Sequence, residues 1–368
     1  MTAPGAGPAI EVQTLTDGGQ RAAEVARGIA GFLAGARSRL DLALYDVRFE
    51  TDAGGLVLAS LLAAVQRGVA VRLLYNVDHP GPIPVPPPPE TAPEALEALP
   101  VETRGIAGIP DLMHHKFAVR DGEAVWTGSA NWTDDSWTRQ ENVIVVVRSA
   151  AIAYAYGLAF EELWTSGRVE GTGTVEPRPV QVDGARVRAW FCPGHGEALS
   201  HRIAKHLGKA RRRIRIASPV LTSGPILATL VEVVSERRCD VAGVVDDTQV
   251  DEVFGQWLAN GVSAWKIPLL RRVLEGAPWS GKASTPWSPG SVRDLMHAKV
   301  VVADDTSFVG SFNLSRSGER NAENVLEIAD VAIADRLAAY VDEVRGRYPP
   351  ATPPGEAPRA RERVGSAP

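Results

Sequence analysis

Two stretches of this chain are near copies of one another, and that duplication constrains the fold more than any other feature. Residues 111–142 read DLMHHKFAVRDGEAVWTGSANWTDDSWTRQEN, and residues 294–324 read DLMHAKVVVADDTSFVGSFNLSRSGERNAEN. They align with one gap, placed after the aspartate that follows each HxK, where a one-residue difference fits a hairpin turn. The segments upstream pair as well: ARSRLDLALYDVRF (Ala36–Phe49) matches ARRRIRIASPVLTS (Ala210–Ser223), each a basic helix end running into a strand. At 368 residues the chain is about twice the usual domain length, so each half reads as one repeat of a single plan.

Within each half, short apolar runs alternate with stretches of helical periodicity, the pattern of an α/β sheet covered by helices. Strands are predicted near 40–46, 69–76, 115–120, 124–127 and 143–147, and again near 213–218, 241–246, 298–302, 307–309 and 325–328. The expected fold is a duplicated α/β protein. Its halves, residues 1–175 and 176–348, each hold a mixed β-sheet flanked by helices, with one active site at the seam. HPGPIPVPPPPETAP (79–93) is an extended proline-rich loop, because proline lacks the N–H donor and fixes its own φ. Its counterpart in the second half is different and contains WSGKASTPWSPG (279–290). The Pro/Ala/Arg/Glu-rich tail 349–368 is expected to be disordered.

Hydrophobic content of 45% and charged content of 23% describe a globular protein, and no apolar run is long enough to cross a bilayer. The first residues, MTAPGAGPAIEV, lack a basic region followed by an apolar core, which points to the cytoplasm. Cys192 and Cys239 have neither metal-ligand nor redox spacing and read as core residues. A net charge of −5 does not attract nucleic acid to the chain as a whole, although a local basic cleft could still bind it.

The chemistry lies in the repeat. His114, Lys116 and Asp121, followed by Gly128, Ser129 and Asn131, recur as His297, Lys299, Asp304, Gly310, Ser311 and Asn313, and each copy ends in a Glu-Asn pair, Glu141-Asn142 and Glu323-Asn324. His and Lys two apart on a strand point to the same face. Two such copies brought together offer two imidazoles, two ammonium groups and the donors of Ser129, Asn131, Ser311 and Asn313, a set suited to a phosphate. Cleaving a phosphodiester needs a nucleophile, an acid for the leaving oxygen and groups that stabilise the non-bridging oxygens. The histidines supply the first two and the lysines, serines and asparagines the third. No acidic cluster has metal-ligand spacing, so no cofactor is expected.

Both blocks resemble the HKD motifs, HxKxxxxD followed by GSxN, of the phospholipase D superfamily, and the resemblance covers the duplicated core. It implies a covalent phosphohistidine intermediate, with His114 as nucleophile and His297 as acid, or the reverse. It also implies that Glu141 and Glu323 hydrogen-bond the second imidazole nitrogen and fix its tautomer. Asp121 and Asp304, at a strand end ahead of a turn, read with Gly128 and Gly310 as structural. A single chain carrying both motifs is expected to work as a monomer.

The resemblance leaves the substrate open: a phospholipid, hydrolysed or transferred to an alcohol, with peripheral membrane contact; or DNA or RNA, since the motif region is also similar to that of the superfamily's bacterial nucleases. A non-catalytic binding protein is disfavoured by intact His and Lys in both copies. Absent N-terminal membrane helices argue against the cardiolipin-synthase-like branch, and the retained motif aspartates against the tyrosyl-DNA phosphodiesterase branch.

Other residues have plainer readings. His115 lies on the opposite strand face from His114 and reads as a satisfied core histidine. His79 and His195 are scattered, and His201 and His206 read as solvated positions of a helix. Arg211 to Arg213 read as a solvated helix end rather than a nucleic-acid patch. Trp279 and Trp287 are candidates for base stacking, lipid contact or local packing.

Overall fold

The computed structural model describes residues 7–81 and 86–353. The first half forms a seven-stranded sheet from β1 (Ile10–Leu15), β2 (Arg39–Leu44), β3 (Ala70–Asn76), β4 (Glu102–Ile106), β5 (Lys116–Arg120), β6 (Ala124–Gly128) and β7 (Asn142–Arg148), in the order β1-β7-β6-β5-β2-β3-β4. The second half forms an eight-stranded sheet from β8 (Pro179–Val182), β9 (Ala185–Cys192), β10 (Arg213–Ala217), β11 (Asp240–Asp246), β12 (Trp279–Lys282), β13 (Val300–Ala303), β14 (Thr306–Gly310) and β15 (Glu323–Ala329), in the order β12-β11-β10-β13-β14-β15-β9-β8. The orders superimpose: β2-β3-β4 and β10-β11-β12 are parallel, while β5-β6-β7 and β13-β14-β15 are antiparallel.

That mixed pairing positions the site. Because β5 runs against β2 and β6 against β5, the carboxyl ends of β2, β3, β4 and β6 share one edge with the amino end of β5. Loops from all of them converge there, and the second sheet repeats the arrangement.

Two long helices occupy the middle of the molecule. In the helix Ala150–Ser166 the buried residues Ile152, Ala153, Tyr156, Ala159, Phe160 and Leu163 recur every three to four positions. They join Ala334, Leu337, Val341 and Val344 of the helix Val331–Arg347, together with Phe117, Val145, Phe191, Val300 and Ile328, in one core containing residues of both halves. Tyr340 then crosses the seam, donating to the carbonyls of Leu15 (2.8 Å) and Asn142 (3.2 Å). Each large side chain buried in that core contributes about 1.5–3 kcal/mol, so the halves hold each other in place. The outer faces are covered separately, by the helices Ala22–Ala34 and Asp52–Gln66 in the first half and by Gly196–Lys209, Gly224–Ser235 and Ile267–Gly276 in the second.

The sequence pattern misses β1, β4, β8, β9 and β12, which lie at or near sheet edges. β4 (ETRGI) and β12 (WSGK) mix glycine and charge and carry no periodicity of their own. Two expectations need correction. The stretch 279–290 is not the counterpart of the proline-rich loop: Trp279 is buried in β12, beside β11, and the loop's place between β3 and β4 is taken in the second half by residues 247–278, between β11 and β12. The tail does not become irregular at Pro349, because Pro349 accepts from Gly281 N (2.9 Å) and Ala351 N donates to Trp279 (3.0 Å), extending the chain along β12. Residues 354–368 lie outside the described residues, as do 82–85 of the proline-rich loop.

Candidate active site

His114 and His297 each stand just before an inner strand, with Lys116 and Lys299 two residues on, and all four are buried. Each ammonium donates back to its own histidine's carbonyl, Lys116 at 2.8 Å and Lys299 at 2.6 Å. One of three N–H donors is thereby used. The halves interlock at the backbone: His114 N donates to Ala322 O (3.0 Å) and Ala322 N to Leu112 O (2.8 Å), and the bridge of Met113 to Ala322 is repeated by Met296 and Glu141. Gly128 and Gly310 end the neighbouring strands where a Cβ would overlap the carbonyl oxygens of Val143 and Asn324, so no other residue fits.

The imidazole partners come from the opposite halves and differ. His114 Nδ1–H donates to both Glu323 oxygens, at 2.8 and 2.9 Å. His297 Nδ1–H donates to Asn142 Oδ1 at 3.0 Å. The expected bond from His297 to Glu141 is not formed. The segment from Ser129 to β7 is one residue longer than that from Ser311 to β15, so Asn142 takes the place of Glu323, and Glu141 that of Ala322. Glu141 instead pairs with Lys282 (3.0 Å), accepts from Asp17 N (3.2 Å) and bonds the Tyr348 hydroxyl.

Ser129 and Ser311 are also reassigned. Ser129 Oγ donates to Asn142 Oδ1 (2.7 Å) and accepts from Val143 N; Ser311 Oγ donates to Glu323 Oε2 (2.5 Å) and accepts from Asn324 N. Their hydroxyls hold the histidines' partners rather than reaching for phosphate. Among the described residues, buried polar atoms without a partner include His114 Nε2 and the amide oxygens of Asn131 and Asn313. A half-turn of either amide presents its N–H₂ in the same place, as a phosphoryl oxygen requires.

Burial first, then Lys116, Lys299 and His297, holds His114 well below the ordinary imidazole range, so the ring is neutral near pH 7. His297 is depressed by burial, Lys299, Lys116 and Arg293. Burial also brings Lys116 down to about 7 and pushes Glu323 up to about 8, the latter against the pull of Lys116. Such a site carries little net charge until an anion enters and stabilises the ammonium groups.

The motif aspartates do other work. Asp121 has φ of 54° at the β5–β6 turn, and its carboxylate accepts from the backbone N–H groups of Arg37, Ser38 and Arg39 and from the Ser38 hydroxyl. Asp304 (φ 52°) accepts likewise from the N–H groups of Arg211, Arg212 and Arg213. Although burial acts to raise it, those bonds lower Asp121 to about 2. A lowered carboxyl contributes stability above its unfolded value near 4 that is lost as pH falls toward 2. Asp121→Asn should therefore cost about 2 kcal/mol at pH 7, flatten stability between pH 4 and 2, and leave kcat of the folded fraction near wild type, as read by acid melts and active-site-normalised rates.

His115 is buried between Phe117 and Phe191 and accepts at Nδ1 from Asn324 Nδ2 (3.1 Å), a satisfied core residue. His206 is half-buried against Phe308 rather than solvated. Two contributors went unrecognised in the sequence besides Asn142. The Tyr45 ring meets His114 edge-on (4.7 Å) and lies 4.6 Å from Lys116 Nζ. Arg293, four residues before His297, bonds Asp46 (3.0 Å) and Pro88 O (2.7 Å) and so ties the proline-rich segment of the first half to the second.

A family model described as "Cardiolipin synthase, PLD-like domain" matches residues 29–164 and again residues 203–345. The chain belongs to the phospholipase D superfamily. The model bears the name of the branch that absent membrane helices had argued against. Mitochondrial cardiolipin hydrolase of Xenopus laevis is 31% identical over 136 residues, 36% of this phospholipase D-like chain and 57% of that protein. The human protein of the same name is 26% identical over 174 residues, 43% and 61% of the respective lengths. The chain thus spans little more than half of these relatives, and their name does not bear out a cytoplasmic placement. Among solved structures, phosphatidylserine synthase of Haemophilus influenzae aligns over 92% of this chain and 85% of its own, with a TM-score of 0.64 and 16% identity. Polyphosphate kinase from Porphyromonas gingivalis aligns over 90% and 46%, with 0.59 and 12%. At those identities both show the duplicated fold alone. Among the described residues, no helix is long and apolar enough to cross a membrane, and no group of three or more His, Cys, Asp or Glu side chains could hold a metal ion.

Proposed function

We propose that this chain is a phospholipid phosphodiesterase working through a phosphohistidine. The observation that carries the reading is the crossed pair at the seam: His114 is oriented by Glu323 of the other half, with its Nε2 unpartnered, beside His297 and both lysines. In the first step, with His297 protonated on both nitrogens once the phosphate anion is bound and its Nδ1–H held by Asn142, His114 Nε2 attacks phosphorus while the bond to the leaving oxygen breaks, and His297 Nε2–H gives that oxygen its proton. In the second, His297 takes a proton from water, whose oxygen attacks phosphorus as the P–N bond breaks; an alcohol in place of water gives transfer. Lys116, Lys299, Asn131 and Asn313 meet the non-bridging oxygens.

A lipid is favoured over nucleic acid by the rim. Where the first half has its proline-rich loop, the second has the helices Asp247–Asn260 and Ile267–Gly276, and the tip between them exposes Leu258 (60%), Val262 (79%) and Trp265 (57%). That tip borders the site: Lys266 Nζ donates to Thr222 O (2.9 Å), and Thr222 N donates to the carbonyl of Leu314 (2.8 Å), next to Asn313. An exposed Trp flanked by aliphatic residues suits a lipid surface, and the net charge of −5 does not favour a polyanion. The curated relatives are, besides, named for cardiolipin hydrolysis.

The test is hydrolysis of phosphatidylcholine and cardiolipin vesicles beside single- and double-stranded DNA and RNA, with His114→Ala as control. Headgroup or phosphatidyl release that the control lacks is expected; nucleic-acid cleavage alone would move the enzyme to the nuclease branch. Changing Leu258, Val262 and Trp265 together to serine should lower vesicle turnover by at least about 10-fold and leave a soluble nitrophenyl phosphodiester unaffected.

A further inference from the structure

We propose that Asn142, and not Glu141, is the positioning residue of His297, and that its neutral amide keeps His297 a strong proton donor while the Glu323 carboxylate supports His114 as nucleophile. This rests on the two-histidine reading above. Each partner sits in surroundings built for it. Glu323 is met by donors: the Ser311 hydroxyl, Asn321 Nδ2 (3.3 Å) and His114 Nδ1–H. Asn142 is met on its nitrogen side by acceptors, the carbonyl of Ser136 (3.0 Å), the hydroxyl of Ser136 (3.1 Å) and Gln140 Oε1 (3.3 Å), which turn its oxygen toward His297 and the Ser129 hydroxyl. Gln140 stands where the second half has Asn321, and its own amide nitrogen is held by Arg293 O (2.9 Å). A carboxylate at position 142 would face the Ser136 carbonyl.

The difference has a chemical consequence. A carboxylate accepting Nδ1–H raises the basicity of Nε2 and stabilises the positive ring that forms when phosphorus bonds to it. An amide orients the ring in the same way without adding negative charge, so the protonated ring gives up its Nε2 proton more readily. The groups facing His297 are Lys299 two residues on, Lys116 and His114 across the seam, Arg293, itself paired with Asp46, and the backbone of Ser129, whose hydrogen bond favours the protonated ring. Since Asn142 Oδ1 is the partner of His297 Nδ1, a carboxylate at 142 would strengthen the ring's hold on its proton.

The experiment follows the ring directly. In ¹⁵N-histidine-labelled protein, Asn142→Asp should raise the titration midpoint of His297 by about one unit or more, and the conservative Glu141→Gln should leave it in place. Asn142→Ala, which puts no charge into the buried site, should slow release of an alkyl alcohol about 100-fold and of nitrophenolate, which needs no proton, far less. Movement of His297 by Glu141→Gln, or an equal loss on both leaving groups in Asn142→Ala, would overturn the proposal. A wild-type enzyme inert toward every phosphodiester would sink the functional reading instead, while the ring titration would still decide which residue positions His297.

Discussion

His114→Ala should lower turnover by about 10⁴-fold or more, the largest catalytic loss expected of any single substitution here. In the proposed mechanism nothing else takes its place: His297 Nε2 serves the leaving group, and each lysine ammonium is held by the carbonyl of its own histidine. The matching substitution, His297→Ala, should be equally damaging on a phospholipid and much milder on a nitrophenyl diester, whose leaving group needs no acid. Quenching that reaction with alkali should then trap phosphate on His114, because alkali-stable P–N bonds survive conditions that strip acyl phosphates. Phosphate found on His297 in the His114→Ala protein would reverse the assignment. Turnover near wild type in either variant would remove the two-histidine mechanism altogether.

How much of this could be read from the chain depended on what each residue's signal was made of. The duplication showed one plan used twice, and the sheets do superimpose strand for strand around β2-β3 and β10-β11. His and Lys two apart on a strand were expected to share a face; the structure sets each histidine just before its strand, with the ammonium of the lysine two residues on bonded to the histidine's own carbonyl. Asp121 and Asp304, ahead of turns, were legible as structural for the same local reason.

The partners of the histidines were not legible. Both copies end in Glu-Asn, and the eye aligns them, yet the first copy holds one more residue between its serine and its strand. A strand has a period of two, so one residue of slip turns Glu141 away and brings Asn142 in. The cost is absorbed because Lys282, a residue with no signal in sequence, meets the displaced carboxylate in a buried ion pair. The serines misled in a related way. Hydroxyls beside a phosphate site suggest phosphate ligands, but a buried carboxylate or amide must itself be satisfied, and the nearest hydroxyl does that. Trp279 could not be placed because β12 becomes a strand only by pairing with β11.

Lys116→Met should separate stability from function. In the free enzyme the Lys116 ammonium is buried, with the His114 carbonyl as its acceptor and the Tyr45 ring 4.6 Å away, and burial brings it down to about 7. Methionine keeps most of the stem, removes a poorly solvated charge and still packs on Tyr45, so the midpoint of thermal unfolding should hold or rise. Catalysis should fall by about 10²–10³-fold in kcat/KM, because the developing charge on phosphoryl oxygen loses a preorganised cation in a dry site. A second effect separates this from a simple binding defect. Lys116 is the charge that most favours ionised Glu323, whose burial holds it near 8 even against that pull. Without Lys116 that carboxyl rises further, and ionised Glu323 is the form that accepts His114 Nδ1–H. The acid limb of the kcat/KM profile should therefore move to higher pH in Lys116→Met, and activity should recover in part as pH is raised. A variant that loses activity equally at every pH would mean that Lys116 meets substrate but does not tune the His114–Glu323 pair, and one that unfolds at lower temperature would mean that the ammonium is part of the scaffold.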